Sequence, residues 1–240
     1  MIPTAGLVKN KQQLAGFLGQ FSPGITADNM TTLLELYHPA FNITTTFETD
    51  GLSGATANDV SGLAFGYAQT LNNIVAEFLF VCPSYWLASA YSEHGKAAYH
   101  YQYSVPMAGH TEDLWNYLGP VRENQGPELS AAFSRMLSNF VHTGNPSITN
   151  EIANGPSSPN PAAHNPASNW PVWNEKNPFQ INMNTTGGTR VIATHSWGTG
   201  VEFVGPGLRN SFTAVDAYAW EGGRGNRCEF WRKMGPRMPL

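Results

Sequence analysis

The stretch Met107–Gly119, MAGHTEDLWNYLG, places one histidine where acid–base chemistry could occur. His110 follows a glycine and stands two and three residues before the carboxylates of Glu112 and Asp113. A histidine raised on a tight turn just after a strand projects from a rigid scaffold, which suits proton transfer in a cleft. The competing interpretation is a histidine that lies on the surface or is satisfied within the core. The pattern by itself is compatible with both.

Other patterns argue against several kinds of site. The chain has no internal repeat, no glycine-rich phosphate loop, no CxxC pair and no HExxH motif. These absences disfavour solenoids, nucleotide-binding domains and zinc ribbons. His94, His100 and His110 are near in sequence but fall on different predicted elements, so we expect no metal site.

The elements that would position His110 follow from hydrophobic spacing. Tyr99, Tyr101 and Tyr103 alternate with polar residues, which predicts a strand over Tyr99–Ser104, directly before the turn of His110. This order of strand, turn and histidine is typical of a site at the carboxyl end of a strand in an α/β sheet. Apolar residues at helical spacing predict helices over residues 10–21, 26–37, 56–69, 83–94, 127–142 and 227–234.

Proline and glycine residues set the remaining boundaries. Pro83 is expected to begin a new helix, with Cys82 at its start. Residues 145–171 are rich in Pro, Asn and Ser, and we expect them to form a surface loop without regular structure. Two short strands, FQINMN and TRVIAT, are predicted on either side of the TTGG turn.

The composition narrows the class of protein. Of the 240 residues, 41% are hydrophobic, 12% aromatic and only 12% charged, and the low charged share favours an extracellular or lumenal protein. A net charge of −4 leaves no basic surface for nucleic acid, so we expect no nucleic-acid partner. The apolar run Val75–Val81 is interrupted by Glu77 and is shorter than the ~20 residues of a membrane span, so we expect no transmembrane segment.

Signals of secretion are mixed. The first residues lack the pattern of a signal peptide. Asn29, Asn42 and Asn184 begin N-x-[ST] sequons and are glycosylation candidates. Cys82 and Cys228 are the only two cysteines, and the composition is compatible with either a disulfide or two buried thiols.

Four stretches, in order, resemble the type-B carboxylesterase and lipase family, which includes cholinesterases and many secreted fungal lipases. They are VCPSYWLASAY, the predicted strand with GHTEDLWNYLG, the segment from LSNFVHTGNPS through NWPVW, and CEFWRKMGPRMP. The resemblance implies that residues 1–240 form one partial domain, the carboxyl-terminal part of an α/β-hydrolase fold. Such a part is helix-rich, has few strands and contains an incomplete central sheet.

The same resemblance assigns roles to single residues. His110 matches the histidine of the catalytic triad, which takes a proton from a nucleophilic serine and returns it to the leaving alcohol. Cys82 and Cys228 match a pair that forms a disulfide in cholinesterase-like members. Glu112 and Asp113 match acidic positions for which a solvated or capping role is expected.

Trp115, Phe65 and Tyr67 are candidates for lining a pocket, although aromatic residues at helical spacing are more often core.

The rest of the triad is missing from this sequence. No G-x-S-x-G elbow occurs, and Ser196 in THSWG comes after His110, whereas the family's serine comes before the histidine. Glu48 is the only fair substitute for the acid, and its surroundings lack the family's pattern. We therefore expect the chain to be inactive alone and to need the missing amino-terminal half of the domain.

Two functions follow from these observations. The first is a portion of a secreted serine ester hydrolase, acting on a small-molecule ester or lipid substrate and needing no cofactor. The alternative is a non-catalytic, cholinesterase-like secreted module for binding or adhesion. A third interpretation, an accidental similarity of an α/β domain, is disfavoured by four motifs in the same order.

Overall fold

The computed structural model describes residues 8–37, 66–106, 108–195 and 198–235. The chain divides into two compact units. The first unit comprises residues 1–86, 194–199 and 217–240, and the second comprises residues 87–193 and 200–216. Each unit is described below by itself.

The first two helices of the first unit begin where the sequence predicted them, and the predicted first residues act as their caps. Helix α1 spans Lys11–Phe21, and the side chain of Asn10 accepts a hydrogen bond from the Gln13 amide at 2.9 Å. Helix α2 spans Ala27–Leu36, and the Thr26 hydroxyl caps it in the same way. Both caps satisfy an amide that has no partner within its own helix, which fixes where each helix starts.

The next helix differs from the sequence prediction. Helix α3 spans Gly66–Ala76, a π-helical turn covers Glu77–Val81, and helix α4 spans Cys82–Glu93 without a break in the chain. α-Helical geometry resumes at Cys82 as predicted, but Pro83 does not begin a separate helix. A proline ring clashes with the carbonyl of an ordinary preceding turn, and here that turn is a wider π turn. Residues 56–65, where the third helix was predicted to start, lie outside the described residues.

This long helix bears on the membrane prediction. By length and composition alone, the helix Gly66–Glu93 could cross a membrane, a test that buried core helices also pass. The sequence prediction treated Val75–Val81 as an isolated apolar run and did not foresee a continuous helix. The absence of a transmembrane segment therefore stays a prediction.

The last helix closes the first unit. Helix α8 spans Trp220–Met234, but its backbone is left-handed at Glu221, Gly222 and Gly223, so regular helix begins after them. Cys228 on α8 forms a disulfide with Cys82 across 146 residues of sequence. The predicted cysteine pair is thus present and joins the start of α4 to α8. The rings of Phe78 and Trp231 pack together with centroids 4.9 Å apart.

The second unit contains a three-stranded sheet in the order β1-β2-β5. Strand β1 spans Tyr101–Tyr103 and pairs in parallel with β2, Phe179–Thr186. Strand β5, Arg209–Asp216, pairs with β2 in antiparallel register. The predicted few-stranded, incomplete sheet is confirmed.

Two further strands, β3 (Thr189–His195) and β4 (Gly198–Val204), form a separate two-stranded sheet. The predicted strands on either side of TTGG exist as β2 and β3, but they do not pair with each other. Strands β4 and β5 were not predicted, because glycines and polar residues interrupt their alternation of apolar and polar positions.

Helices cover the apolar face of the sheet. A short helix α5 spans Trp115–Leu118, and α6 spans Gly126–Thr143, close to the predicted range 127–142, and ends at left-handed Gly144. The core of the unit joins residues of α6 to Ile181 and Met183 of β2 and Phe212 of β5.

The expectation for residues 145–171 was wrong in part. They contain helix α7, Asn150–Asn154, and a 3-10 helix, Pro166–Asn169. Ile148, Ala153 and Trp170 of this segment are buried in the core of the second unit. Polar side chains in this segment cap the short helices, Thr149 at α7 and Asn165 at the 3-10 helix.

Candidate functional site

His110 lies on an exposed turn that follows β1. Val105 anchors the chain before the turn because it is almost fully buried. The amide of Glu112 donates to the Gly109 carbonyl at 3.2 Å, which closes a tight turn around His110. The predicted order of strand, turn and exposed histidine is therefore observed within the second unit. The catalytic role of His110 stays a prediction.

The backbone directly after His110 is unusual. Thr111 has φ 71° and ψ 4°, the left-handed region that residues with a Cβ seldom adopt. Its hydroxyl donates to the His110 carbonyl at 2.5 Å. A short 3-10 helix, Glu112–Leu114, then leads into α5.

Glu112 is neither solvated nor a cap. It is 6% exposed, and both carboxylate oxygens accept hydrogen bonds from Nη1 of Arg122, at 3.0 and 2.9 Å. The Arg122 guanidinium lies over the Trp115 ring, 4.2 Å from its centroid. Trp115, a candidate for lining a pocket, thus supports the arginine that holds Glu112.

Asp113 also points inward rather than to solvent. One of its carboxylate oxygens accepts from the Tyr101 hydroxyl at 2.7 Å and from the Tyr117 hydroxyl at 3.4 Å. Burial and the Asp113 charge raise the pKa of Tyr101, so this phenol stays protonated as a donor. The carboxylate therefore ties strand β1 to the segment that carries His110.

Gln125 completes the support of the turn. Its side-chain nitrogen donates to the Glu112 carbonyl at 2.7 Å and to the Tyr103 hydroxyl at 2.8 Å. Burial raises the pKa of Tyr103, which keeps the phenol neutral in this network. Sequence patterns could not find these contacts, because Arg122 and Gln125 carry no motif of their own.

A cavity of about 640 Å³ lies in the second unit. It is bounded by the first turn of α6 and by the connection between β4 and β5, and Arg122 contributes to its wall. His110 is not among its lining residues. This cavity is therefore separate from His110.

Several other candidate residues have a defined setting. Asn29 lies on α2, and its side-chain nitrogen contacts the Met234 sulfur at 2.8 Å. Asn184 is half-buried on β2 opposite Ser211. Both sequons stay predictions. Tyr67 lies on α3. The remaining candidates lie outside the described residues, namely Asn42, Glu48, Phe65 and Ser196.

The first unit contains a second polar cluster that the sequence did not predict. Glu77 of the π turn is buried and accepts from Arg227 at 2.8 Å on each oxygen and from Arg224 at 3.2 Å. The Tyr37 hydroxyl donates to the same carboxylate at 2.6 Å, and the Trp231 indole donates to that hydroxyl at 2.9 Å. These contacts link α2, the π turn and α8.

The charges of this cluster compensate one another. Burial would raise the pKa of Glu77, but the hydrogen bonds and charges of the two arginines outweigh it, so the pKa lies below its ordinary value. Burial and the Glu77 charge raise the pKa of Tyr37 well above its ordinary value. Both carboxylate oxygens already have donors, so the cluster is suited to stabilising the unit rather than to catalysis.

Metal-binding geometry is not found in the part of the chain that the structure describes. There, no three side chains of His, Cys, Asp or Glu lie together in a group that could hold a metal ion.

Among solved structures, the chain is similar to the one described as "Crystal Structure of Aspergillus niger EstA". The match has a TM-score of 0.55 at 14% identity and covers 97% of this chain and 37% of the EstA chain. No protein-family model and no curated protein matches the chain. The likeness shows the fold, a helix-rich part of an α/β-hydrolase with few strands. It does not extend to the type-B carboxylesterase family in particular.

Proposed function

We propose that this chain is the carboxyl-terminal portion of a serine ester hydrolase of the type-B carboxylesterase and lipase family. In the complete enzyme, His110 acts as the general base and acid of the triad. The nucleophilic serine and the triad acid belong to residues outside this chain. The substrate is a small-molecule ester or a lipid.

The observation that carries this proposal is the likeness to EstA over 97% of the chain, together with the position of His110. The chain spans 37% of the EstA chain, which leaves room for the missing triad members in the rest of such a domain. In this chain, His110 is exposed on a turn that follows a parallel strand. The residues after it, Glu112 and Asp113, tie this turn to Arg122 and Tyr101. An exposed imidazole on a turn held in this way can exchange protons with a group brought next to it.

The chemistry requires no group beyond the side chains of the enzyme. Nitrogen of the His110 imidazole removes the proton of the serine hydroxyl as its oxygen attacks the ester carbonyl. The resulting imidazolium then protonates the departing alcohol, and water repeats the sequence to release the acid. Without the serine no acyl-enzyme forms, so the chain alone is expected to be inert.

The disulfide between Cys82 and Cys228 is compatible with an extracellular protein. We therefore place the complete protein outside the cell. The alternative, a non-catalytic secreted binding module, shares this location and fold. It differs only in lacking a serine in the elbow of the missing portion.

The test is to express the chain with the coding sequence found upstream of Met1 and to assay hydrolysis of p-nitrophenyl esters. We expect hydrolysis by the extended protein and none by the 240-residue chain. His110→Gln in the extended protein should lower kcat by a factor on the order of 10⁴ to 10⁶, as for removal of other triad members.

His142→Gln is the matched control, because His142 is an exposed histidine in the last turn of α6 and should leave kcat unchanged. Hydrolysis that survives His110→Gln would refute the role of His110. An upstream sequence with Gly or Asn at the serine position of the elbow would instead favour the binding module.

A further inference from the structure

The conformation of Thr111 needs a physical cause. A left-handed backbone is sterically strained for a residue with a Cβ. Such a conformation persists only where the surroundings fix it, and it is found most often at functional sites. Thr111 follows His110 directly, so its φ and ψ angles set the direction in which the chain leaves the histidine.

The next residue supplies that cause. Glu112 is held at its side chain by Arg122 and at its carbonyl by Gln125, at 2.9 and 2.7 Å. Arg122 is itself held in place by the Trp115 ring. With Glu112 fixed at two points, the chain between it and Gly109 has little freedom.

Local hydrogen bonds complete the turn. The Glu112 amide donates to the Gly109 carbonyl, and the Leu114 amide donates to the Thr111 carbonyl at 3.1 Å. Neither bond fixes Glu112 to the body of the unit, which the contacts with Arg122 and Gln125 do. Loss of the ion pair leaves Glu112 held only at its carbonyl, by Gln125, and we expect Thr111 then to relax to a negative φ.

We propose that Glu112 is a positioning residue for His110: held by Arg122, it keeps Thr111 left-handed and so fixes the main chain that carries the imidazole. This inference rests on the proposed role of His110. Glu112 exchanges no proton with substrate in this arrangement. It acts through the backbone of Thr111.

The experiment starts with crystal structures of the 240-residue chain and its variants, which give φ at position 111 directly. Glu112→Gln keeps the size of the side chain and removes the charge that holds Arg122. We expect the positive φ at Thr111 to be lost in this variant. Thr111→Gly in the Glu112→Gln background should restore the positive φ in part, because glycine adopts the left-handed region without a steric cost.

Glu175→Gln is the control, since Glu175 is an exposed glutamate of the same unit without a partner among the described residues. It should leave φ at Thr111 unchanged. If Glu112→Gln keeps the positive φ, or if the glycine fails to restore it, the inference is wrong.

The extended enzyme supplies the second readout. There, Glu112→Gln should lower kcat about tenfold with KM unchanged, the factor that corresponds to about 1.4 kcal/mol of lost positioning. Thr111→Gly should recover part of this loss, whereas a purely stabilising role of Glu112 predicts no recovery. Full activity of the extended enzyme with His110→Gln would overturn the proposed function. The φ measurement would still decide whether Glu112 holds Thr111 in its left-handed conformation.

Discussion

At the scale of single residues, Glu77 determines whether three elements of the first unit stay together. Its carboxylate is buried and accepts from Arg224, Arg227 and Tyr37. Removing one partner of a buried ion pair leaves an uncompensated charge, which typically costs about 3 to 5 kcal/mol. We therefore expect Glu77→Gln to lower the free energy of unfolding by about that amount, measured by urea denaturation followed by tryptophan fluorescence.

The exposed pair between Glu229 and Arg232 provides the control. Glu229→Gln should change the free energy of unfolding by less than about 0.5 kcal/mol, as is usual for surface pairs. If Glu77→Gln does not fold, Tyr37→Phe removes one donor to the same carboxylate and should cost about 1 to 3 kcal/mol. A Tyr37→Phe variant as stable as the parent would contradict the assigned role of the cluster.

The same carboxylate makes stability depend on pH. Since the pKa of Glu77 is lowered in the folded state, its contribution is fully present above the ordinary value of 4.5. The contribution is lost as the pH falls through the lower folded value. The acid side of the stability profile should therefore be flatter in Glu77→Gln than in the parent.

At the scale of elements, glycines at two helix positions should respond in opposite ways to the same substitution. Gly144 ends α6 with φ 74°, so Gly144→Ala should lower the free energy of unfolding by about 1 kcal/mol. Gly16 lies exposed inside α1 with open space around its Cα, so Gly16→Ala should raise the stability of α1 by about 0.5 to 1 kcal/mol. Denaturation of both variants and the parent measures the two effects, and equal signs would contradict the assignment.

Helices were predicted well because their signals are local. Each helix end depends on a hydrogen bond to a residue three or four positions away. The side chains of Asn10 and Thr26 accept from amides of the first turn, and the Gly144 amide donates to a carbonyl of the last turn. The π turn before Pro83 could not be predicted, because a proline signals a helix start equally well in sequence. Strand β5 owes its place to pairing with β2, some 30 residues away in sequence, and its own alternation is weak.

For the candidate site, the sequence predicted only those residues that belong to a recognisable motif. The sequence indicated His110 and, by resemblance, the pair Cys82 and Cys228 that the structure joins. It gave Glu112 a solvated or capping role, because no sequence pattern identifies Arg122, ten residues further along the chain, as its partner. The arginines that hold Glu77 are about 150 residues away from it, and burial decides that pairing.

At the scale of the whole molecule, one edge of the three-stranded sheet is open in the described part of the chain. The bonds from Ile181 to His100 and from Ser104 to Met183 show that the even-numbered residues of this segment face β2. In a parallel pair, the amides and carbonyls of Tyr101 and Tyr103 then face the other side. Only the Tyr103 carbonyl on that side has a partner among the described residues, the side chain of Gln102 at 2.9 Å.

An open edge of this kind promotes association between chains. Exposed apolar side chains elsewhere in the second unit, Leu118 at 77% and Val121 at 50%, should add to the effect. We expect the 240-residue chain to self-associate between about 1 and 100 µM, concentrations at which exposed edges and apolar surface cause aggregation. Sedimentation velocity measures the effect.

Gln102→Ala tests the contribution of the sheet edge to self-association separately from that of the apolar side chains. It uncovers the Tyr103 carbonyl and leaves Leu118 and Val121 in place. It should move self-association to lower concentration, since an uncovered carbonyl is free to accept from a second chain. Gln20→Ala on the exposed side of α1 is the control and should leave self-association unchanged.

Extension by the upstream region should remove self-association if that region supplies the neighbouring strand. A parent chain that stays monomeric at 100 µM, or a Gln102→Ala variant that associates no more than the parent, would show that this edge is not the contact.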